Sequence, residues 1–343
     1  MKKIKAAVIG LGVGEHHLRT YLKSKYVHQV VAYDFDKKKI FKLRKKYPSV
    51  LFVNKESEIF KDKEIKILSI ASYDNYHSKQ ILKSFKTKKN VFVEKPICLY
   101  KKELRVIQKE YFKSKLKLSS NLVLRTAPMF KRIKEEISKK KFGKIFYIEA
   151  DYLWGRLNKF FGWRSNMKYY SKIYGAAIHM VDLIVWLLNK KPVEVFASGN
   201  KIATKSTKLK FNSFVSLNLL FPDGLIVKVT GNGPCVYPHF HGLKIYGTKK
   251  TFSHDLNSTF FVKNRNKIEL QKINIKNKIY PAKNSRSQVL KNFLKNVINN
   301  SNQMLVNSSE IFDVMSICFA AEKSMKTGKK IKINYLNHKY KLA

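Results

Sequence analysis

The sequence predicts an α/β fold, in which a doubly wound parallel sheet is followed by an α+β domain with one large, mostly antiparallel open sheet. The chain has 343 residues, which is more than one hydrophobic core usually serves. From Lys3 to about Ser119, short apolar runs alternate with amphipathic stretches, whereas longer strand-like segments follow after about Asn121. We therefore predict two domains, residues 1–120 and residues 121–343.

In the first domain, the apolar runs are continuous, as expected for parallel strands that are covered on both faces. They are Ile4 to Ile9, Val30 to Tyr33, Ile67 to Ala71, Val91 to Val93 and Leu116 to Leu118. Segments with helical periodicity separate them, as crossover connections require. These segments lie around Glu15 to Ser24, Lys37 to Lys46, Ser78 to Phe85 and Lys101 to Lys113.

The second domain contains more strand-like segments than helical ones. Its predicted strands are Ile145 to Leu153, Val193 to Asn200, Phe214 to Phe221, Leu225 to Gly231, Gly242 to Gly247 and Ser258 to Val262. Its predicted helices are Ala127 to Lys140, Ala176 to Leu188, Ser287 to Asn299 and Glu310 to Lys326. Phe221-Pro222-Asp223-Gly224 predicts a hairpin turn, because proline sets the first corner and glycine tolerates positive φ.

A glycine-rich turn follows the first strand directly. The run Ile4 to Ile9 leads into Gly10, Gly12 and Gly14 and then into a helical stretch. In such a unit the first glycine makes the tight turn, and the second lets a pyrophosphate approach the backbone at the helix N-terminus. This context predicts a Rossmann domain that binds a nicotinamide dinucleotide. Glu15 departs from the usual spacing, and its carboxylate would repel the pyrophosphate unless it points away.

An acidic residue stands at the end of the second strand. Asp34 lies about 20 residues beyond the glycines, where a carboxylate typically binds the adenosine ribose hydroxyls and disfavours a 2′-phosphate. Asp34 therefore predicts NAD as the cofactor rather than NADP. Two alternatives stay open: Asp34 and Asp36 could simply cap the following helix, or the lysines at 37–39 could accommodate a 2′-phosphate.

The formal net charge is +47. A single-sign excess of this size is typical of proteins that bind polyanions such as nucleic acid or an anionic membrane. Here the lysines are spread over every segment and do not form one stripe. We therefore expect non-specific, salt-dependent adhesion to polyanions, but no specific nucleic-acid partner and no membrane partner.

Three cysteines, Cys98, Cys235 and Cys318, lie far apart. Their spacing predicts neither a disulfide framework nor a zinc site, so no metal is expected and a reducing compartment is favoured. No apolar stretch approaches the roughly 18 residues of a spanning helix. We therefore expect a soluble protein of the cytoplasm.

Two motifs of the first domain resemble those of the Gfo/Idh/MocA oxidoreductases, the family of glucose–fructose oxidoreductase and inositol dehydrogenase. They are Ile70 to His77 and Val93-Glu94-Lys95-Pro96. Further marks follow in the family's order: Arg125 and Pro128, Trp163-Arg164, the helix Gly175 to Asp182, and Lys244 to Thr248. The resemblance implies a Rossmann domain followed by an α/β domain whose open sheet often forms a dimer or tetramer.

The resemblance also implies which residues form the site. The lysine of the Glu-Lys-Pro triplet and a histidine of the second domain face the substrate carbon in similar enzymes, and the matching positions are Lys95 and His179. The first domain is expected to contact the dinucleotide through Gly10, Gly12, Val13, Gly14, Asp34, Ala71, Ser72, His77, Glu94 and Lys95. The substrate is expected to contact Arg125, Tyr152, Trp163, Arg164 and Asp182. Some of these residues could instead have a structural role. His77 could hold the loop before a helix, and Trp163 could anchor the core. Asp182 could orient His179 or hydrogen-bond to the backbone.

The chemistry itself requires two such groups. Hydride transfer from a carbinol carbon needs an acceptor for the hydroxyl proton and a positive group near the developing alkoxide. His179 can take a proton near neutral pH, and Lys95 follows the carboxyl end of a parallel strand, where ligands bind. We assign His179 as the base and Lys95 as the alkoxide-stabilising group, although the two roles could be exchanged.

Position 175 departs from the family's pattern. Many members carry an aspartate four residues before the helix histidine, and this chain has Gly175 there. Tyr174, Tyr152 or Asp182 could take its place, lysine and histidine could suffice alone, or activity could be lost.

These observations predict an NAD(P)-dependent oxidoreductase acting on CH–OH groups, which transfers a hydride between NAD(H) and a hydroxyl or keto carbon of a sugar. A nucleotide-linked or amino sugar is favoured, because aromatic and basic residues such as Tyr152, Arg156 and Arg164 could hold a phosphorylated sugar. The alternatives are a dehydrogenase of polyols or simple sugars with the same fold, and a non-catalytic NAD-binding regulator. A homo-oligomer, dimer or tetramer, is expected through the C-terminal sheet.

Overall fold

The computed structural model describes residues 3–265, 270–273 and 285–335. The chain divides into two compact units. The described part of the first unit comprises residues 3–122 and Ser287–Phe312. The second unit comprises Val123–Arg286, apart from its undescribed residues, together with Asp313–Tyr335. The division after Leu122 lies close to the predicted boundary, whereas 287–312, predicted as part of the C-terminal domain, groups with the first unit.

The first unit contains a six-stranded parallel sheet with the strand order β3-β2-β1-β4-β5-β6. This order and the large mixed sheet of the second unit confirm the predicted fold class. The strands are β1 (Ile4–Ile9), β2 (Val27–Tyr33), β3 (Leu51–Phe52), β4 (Ile65–Ile70), β5 (Asn90–Val93) and β6 (Leu118–Ser120). The helices are α1 (Gly14–Leu22), α2 (Lys37–Lys46), α3 (Glu56–Lys61), α4 (His77–Lys86) and α5 (Lys101–Ser114).

Strand β6 lies two residues later than predicted, over Leu118–Ser120 instead of Leu116 to Leu118. Its two serines are fully buried although they are polar. The hydroxyl of Ser119 donates to the carbonyl oxygen of Val306 at 2.8 Å, so this serine is buried with its hydroxyl hydrogen-bonded. A prediction from apolar character alone therefore places this strand two residues too early.

The second unit is built on a nine-stranded sheet with the order β14-β13-β12-β11-β7-β10-β9-β8-β15. Neighbouring strands are antiparallel except for the parallel pair β7 and β10. The strands are β7 (Ile145–Leu153), β8 (Glu194–Asn200), β9 (Phe214–Leu220), β10 (Ile226–Asn232), β11 (Phe240–Gly247), β12 (Thr251–His254), β13 (Thr259–Val262), β14 (Leu270–Lys272) and β15 (Ile331–Lys332). Gly224, in the hairpin turn between β9 and β10, has φ +82°, which supports its predicted role.

Two helices of the second unit pack together beside this sheet, α6 (Pro128–Ser138) and α7 (Ile178–Leu188). A single π-helical turn, Ile173–Ala177, leads directly into α7, so the helical segment begins three residues before its predicted start. Nearly every residue of α7 is buried, because the helix packs on β7 and β10 with one face and on α6 with another. His179 is the second residue of α7.

Two further helices follow, α8 (Ser287–Ile298) and α9 (Ser308–Thr327). Helix α8 packs on α1 and β5, and the ring of Phe293 lies 5.7 Å from that of Phe92. This contact explains why a segment remote in sequence joins the first unit. In the described ranges, no helix combines the length and apolar character needed to cross a bilayer.

Candidate active site

The first glycine of the turn after β1 has room for no side chain. Gly10 has φ +84°, and a Cβ there would lie 2.4 Å from the carbonyl oxygen of Ala71 and 2.6 Å from the amide nitrogen of Ser72. Both distances are far below any contact a real Cβ makes, so only glycine fits. The close approach brings Gly10, Ala71 and Ser72 together at the carboxyl ends of β1 and β4, as ligand binding at this edge of a parallel sheet requires.

The other two glycines serve different purposes. A Cβ at Gly12 would meet no atom within 4 Å, so the backbone here borders open space. A Cβ at Gly14 would lie 3.0 Å from Val8 Cγ1 and 3.1 Å from Ala71 Cβ, which makes Gly14 the close contact between helix and strand. Helix α1 begins at Gly14, one residue before its predicted start at Glu15. The side chain of the N-cap residue, Val13, makes no capping hydrogen bond. This geometry fits a pyrophosphate bound by the backbone at the N-terminus of α1.

Glu15 is directed away from the glycine turn. Its Oε1 accepts hydrogen bonds from Lys46 Nζ at 2.8 Å and from the Tyr47 hydroxyl at 2.7 Å. These hydrogen bonds lower the pKa of the Glu15 carboxyl, so its charge is balanced by Lys46 at the end of α2. Glu15 departs from the usual glycine spacing, but Lys46 compensates its charge. The N-terminus of α1 can therefore still bind an anion.

Asp34 is 3 % exposed and holds the glycine turn in place. Its Oδ2 accepts from the backbone N–H of Leu11 at 2.6 Å and from Lys39 Nζ at 3.0 Å, while Oδ1 accepts from the backbone N–H of Asp36. The cap of α2 is Asp36, whose side chain accepts from the backbone N–H of Lys39. The alternative in which Asp34 serves only as a helix cap therefore does not describe this residue.

Two loops at the sheet edge are joined by His77. Its ring nitrogens lie 2.6 Å from the carbonyl oxygen of Pro96 and 3.1 Å from that of Ser72, and the side chain is fully buried. Because carbonyl oxygens only accept, the single N–H of a neutral His77 ring donates to one of these two loops, and the other ring nitrogen lies beside the second carbonyl. Lys95 precedes Pro96 through a cis peptide bond and is half-buried.

Glu94 carries a largely buried carboxylate, 15 % exposed, which side chains contact from two sides. Its Oε1 lies 3.1 Å from His17 Nε2 and accepts from Asn121 Nδ2 at 2.6 Å. Burial raises the pKa of the carboxyl, but the hydrogen bonds to His17 and Asn121 and the charges of His17 and Lys95 outweigh it and hold the pKa below its ordinary value. Glu94 therefore stays ionised and fixes the backbone that carries Lys95.

We expect Glu94→Gln to lower the free energy of unfolding at pH 7 by about 1–3 kcal/mol, because hydrogen bonds to a buried charged group are lost. A pKa that is lower in the folded than in the unfolded state stabilises the protein above the ordinary carboxyl pKa of 4.5, and this stabilisation is lost as the pH falls below that value. Urea unfolding between pH 7 and pH 3 should therefore show the two proteins converging in acid. The control Glu110→Gln, at an exposed position, should change little; a Glu94→Gln deficit constant with pH would contradict the assignment.

In the second unit, His179 lies in a cluster of aromatic and imidazole rings. Its ring stacks on that of Tyr152, with centroids 5.5 Å apart and planes inclined by 10°. Tyr152 pairs with His241 across β7 and β11, with ring centroids 4.8 Å apart. His239 lies 4.9 Å from His241 and 5.2 Å from Tyr152. These four residues, Tyr152, His179, His239 and His241, are called the imidazole cluster below.

Two members of the imidazole cluster were not anticipated from the sequence. His239 directly precedes β11 and His241 is the second residue of this strand, and the H-x-H spacing at the start of a strand was the signal available. Burial lowers the pKa of His241 well below 6.5, with smaller contributions from His239, His254 and Arg156, so His241 is neutral at pH 7. Arg156 lies 3.0 Å from His239 Nδ1 and, since guanidinium only donates, that nitrogen accepts.

Arg125 and Asp182 form a buried ion pair. Arg125 Nε lies 3.1 Å from both carboxylate oxygens, and Nη2 lies 2.5 Å from Oδ1. Both side chains are 1 % exposed. The pair links the short 3₁₀ turn Val123–Thr126 to the first turns of α7, one turn beyond His179. Geometry thus places these two predicted substrate residues against each other.

Trp163 and Arg164 lie in the loop before the π turn. The Arg164 guanidinium carbon is 4.3 Å from the centroid of the Trp163 ring, and Nε donates to the Tyr170 hydroxyl at 3.2 Å. Tyr174, one of the predicted substitutes for the missing aspartate, is buried against Tyr169 and Phe319. Among the described residues, no three His, Cys, Asp or Glu side chains are arranged to hold a metal ion.

Two family models match the chain. Residues 4–122 match "Oxidoreductase family, NAD-binding Rossmann fold", and residues 130–253 match "GFO/IDH/MocA C-terminal domain". The chain belongs to the Gfo/Idh/MocA family. The predicted resemblance is therefore confirmed, as is the prediction of an NAD(P)-dependent dehydrogenase of the class that acts on CH–OH groups.

Relatives of this Gfo/Idh/MocA protein are distant. The myo-inositol 2-dehydrogenase of Thermotoga maritima is 21 % identical over 340 residues, which cover 96 % of this chain and 98 % of that protein. The Bacillus subtilis protein YteT is 29 % identical over 183 residues, 48 % of this chain and only 41 % of YteT. The crystal structure of a scyllo-inositol dehydrogenase from Lactobacillus casei, with bound NAD(H) and scyllo-inositol, has a TM-score of 0.80 at 18 % identity and covers 97 % and 99 % of the two chains.

The prediction of NAD as cofactor is confirmed by the family match of the first unit. The residues of this Gfo/Idh/MocA chain fit the dinucleotide: Gly12 borders open space, Gly10 closes the turn, and Asp34 stands at the carboxyl end of β2.

Proposed function

We propose that this protein transfers a hydride between NAD(H) and a secondary carbon of a carbohydrate, interconverting a hydroxyl and a keto group. The observation that carries this proposal is the imidazole cluster, in which His179 stacks on Tyr152 beside His239 and His241. A hydrogen-bonding and partly aromatic surface of this kind suits a hydroxylated ring, because imidazoles bind hydroxyls and a phenol ring packs on the C–H face.

NAD, when bound by the first unit, would supply the acceptor for the hydride of the alcohol and, as NADH, the hydride for the reverse reaction. His179 takes the hydroxyl proton as the hydride leaves, and the ammonium group of Lys95 stabilises the alkoxide. Tyr152 fixes the His179 ring by stacking. Tyr152, Trp163 and Arg164 contact the substrate in our proposal.

For Arg125 and Asp182 we propose an indirect role. Their charged groups are 1 % exposed and pair with each other, so they support the start of α7 and thereby the position of His179. This interpretation keeps the open alternative in which Asp182 orients the histidine helix.

We further propose that the carbohydrate is a nucleotide-linked or amino sugar. The support is the positive charge near the aromatic residues, where Arg156 contacts His239 and Arg164 lies over Trp163. A free cyclic polyol is the second candidate, because the Thermotoga maritima relative is named an inositol dehydrogenase and the Lactobacillus casei structure holds scyllo-inositol.

The experiment that tests these proposals is a substrate screen of the purified protein with NAD and, in parallel, with NADP. Nucleotide sugars, amino sugars, simple sugars and inositols are offered one by one while the absorbance of the reduced nicotinamide is followed. We expect turnover with at least one carbohydrate and a higher kcat/KM with NAD. Tight NADH binding without turnover of any compound would instead favour a non-catalytic regulator.

We also propose that the protein forms a homo-oligomer through the nine-stranded sheet. Phe196 and Ile226 are 40 % and 47 % exposed on neighbouring parts of this sheet, which supports burial against a second copy. A cytoplasmic location also remains a proposal, supported by Cys98, Cys235 and Cys318, which are free thiols. Light scattering should give a mass of two or four chains.

A further inference from the structure

The space beside Gly175 is filled by a side chain from another part of the loop. A Cβ built on Gly175 would lie 2.1 Å from the hydroxyl oxygen of Tyr170 and 2.9 Å from its Cζ. The third nearest atom, at 3.6 Å, also belongs to the Tyr170 ring. The phenol end of Tyr170 therefore stands where a side chain of residue 175 would begin.

Position 175 has a fixed relation to His179. It lies in the π turn that continues into α7, four residues before the histidine. Side chains about one turn apart on a helix are neighbours, with Cβ atoms roughly 5–6 Å apart. The Tyr170 hydroxyl, at the Cβ place of residue 175, is therefore presented toward the same side of the helix as His179.

Tyr170 is held rigidly in this place. Its side chain is 6 % exposed, and its ring packs on Phe211 with centroids 4.7 Å apart and on Trp163 with centroids 6.2 Å apart. Arg164 Nε donates to the hydroxyl oxygen at 3.2 Å. Because a guanidinium only donates, Arg164 occupies an acceptor position of the phenol oxygen, and the O–H itself is directed toward another acceptor.

We propose that Tyr170 is a further site residue, whose hydroxyl binds the reacting oxygen of the carbohydrate beside His179 and takes the place of the side chain that Gly175 lacks. This inference rests on the proposed function. The hydroxyl proton passes from the substrate to His179, bound NAD would supply the acceptor for the hydride, and the Tyr170 hydroxyl donates a hydrogen bond to the oxygen that becomes the carbonyl. Arg164 acts through Tyr170 as a positioning residue.

Tyr170→Phe removes only the hydroxyl, and we expect it to reduce kcat/KM about 10²-fold or more on the substrate found by the screen, because the reacting oxygen loses a hydrogen-bond donor. NADH binding, measured by fluorescence titration, and the melting temperature should stay close to wild type. The matched control is Tyr169→Phe, which removes a neighbouring hydroxyl that donates to Glu322 instead, and it should leave kcat/KM within a few-fold.

Two variants at Gly175 separate a site role from a merely structural one. Gly175→Ala needs the space of the Tyr170 hydroxyl and Cζ, so it should reduce kcat/KM in the wild-type background but add little to Tyr170→Ala, in which both atoms are absent. The double variant Tyr170→Ala with Gly175→Asp exchanges a phenol for a carboxyl group at the same place. At pH 7 this carboxyl is ionised and cannot donate, so activity should return only toward acidic pH, where the carboxyl is protonated, because the two groups titrate about six pH units apart in model peptides.

The outcomes distinguish this inference from the proposed function. If wild type turns over a carbohydrate and folded Tyr170→Phe matches it in kcat/KM and pH profile, the role of Tyr170 is refuted and the proposed function stands. If wild type turns over none of the compounds, both are refuted. A loss in Tyr170→Phe that is accompanied by a lower melting temperature and equalled in Tyr169→Phe would indicate a structural role only.

Discussion

Asp182→Ala is expected to lower the free energy of unfolding of the second unit by about 3–5 kcal/mol. The variant leaves the Arg125 guanidinium buried at 1 % exposure without the carboxylate that now contacts both Nε and Nη2. An uncompensated buried charge costs far more than an exposed one, since water cannot solvate it. Thermal and urea unfolding, followed by tryptophan fluorescence, measures the loss.

The matched control is Asp223→Ala. Asp223 pairs with Lys190 at 2.6 Å, but the two side chains are 47 % and 54 % exposed, so the pair should contribute no more than about 1 kcal/mol. Arg125→Met combined with Asp182→Leu should recover much of the stability, because apolar residues can replace a buried pair. Equal effects of Asp182→Ala and Asp223→Ala would show that the buried pair has no special energetic weight.

His179→Ala is expected to reduce kcat by about 10²- to 10⁴-fold on the confirmed substrate, since it removes the proposed acceptor of the hydroxyl proton. Lys95→Ala should reduce kcat by a similar factor through loss of the alkoxide-stabilising charge. Steady-state kinetics gives both values, and NADH titration checks that the first unit still binds its cofactor. Tyr152, which stacks on His179, carries no charge and takes no proton in this proposal. Its replacement should therefore reduce kcat by a smaller factor than His179→Ala or Lys95→Ala.

Controls for these two variants use residues of the same type at exposed positions. His28→Ala and Lys102→Ala should leave kcat and KM unchanged. If either His179→Ala or Lys95→Ala retains full turnover, that residue loses its assigned role. If both do, the proton acceptor must be sought elsewhere, with His239 and His241 of the imidazole cluster as the next residues to replace.

Local signals predicted the glycine turn and several element bounds well. Strands β1 and β7 occur over the predicted residues, because each is a run of residues whose burial agrees with its apolar pattern. Strand β3 was missed because two residues carry no periodicity, and it is defined only by pairing with β2. The grouping of residues 287–312 with the first unit was not anticipated from the sequence, because the packing of α8 on α1 and β5 is non-local.

The candidate site likewise combines residues that short sequence motifs predict with residues that only the tertiary structure brings together. Gly10, Asp34 and the Glu94-Lys95-Pro96 triplet lie in short motifs, where sequence and chemistry are directly connected. His239 and His241 meet Tyr152 only through the register of β11 against β7, which no local pattern specifies. Tyr170 reaches Gly175 because a π turn and a loop place a phenol five residues upstream in the space of a missing side chain.

Asp34 has a consequence for any attempt to redesign cofactor preference. The usual route toward a phosphorylated cofactor removes this acid, but here its carboxylate also accepts the backbone N–H of Leu11 in the middle of the glycine turn and contacts Lys39. Replacing Asp34 would leave Lys39 available to bind the added phosphate. It would also remove the hydrogen bond that holds the glycine turn, which NAD and NADP both need. Substitutions that change the cofactor preference should therefore be made first at the neighbouring Phe35 and Asp36. Asp34 and its hydrogen bonds with Leu11 and Lys39 should be left unchanged.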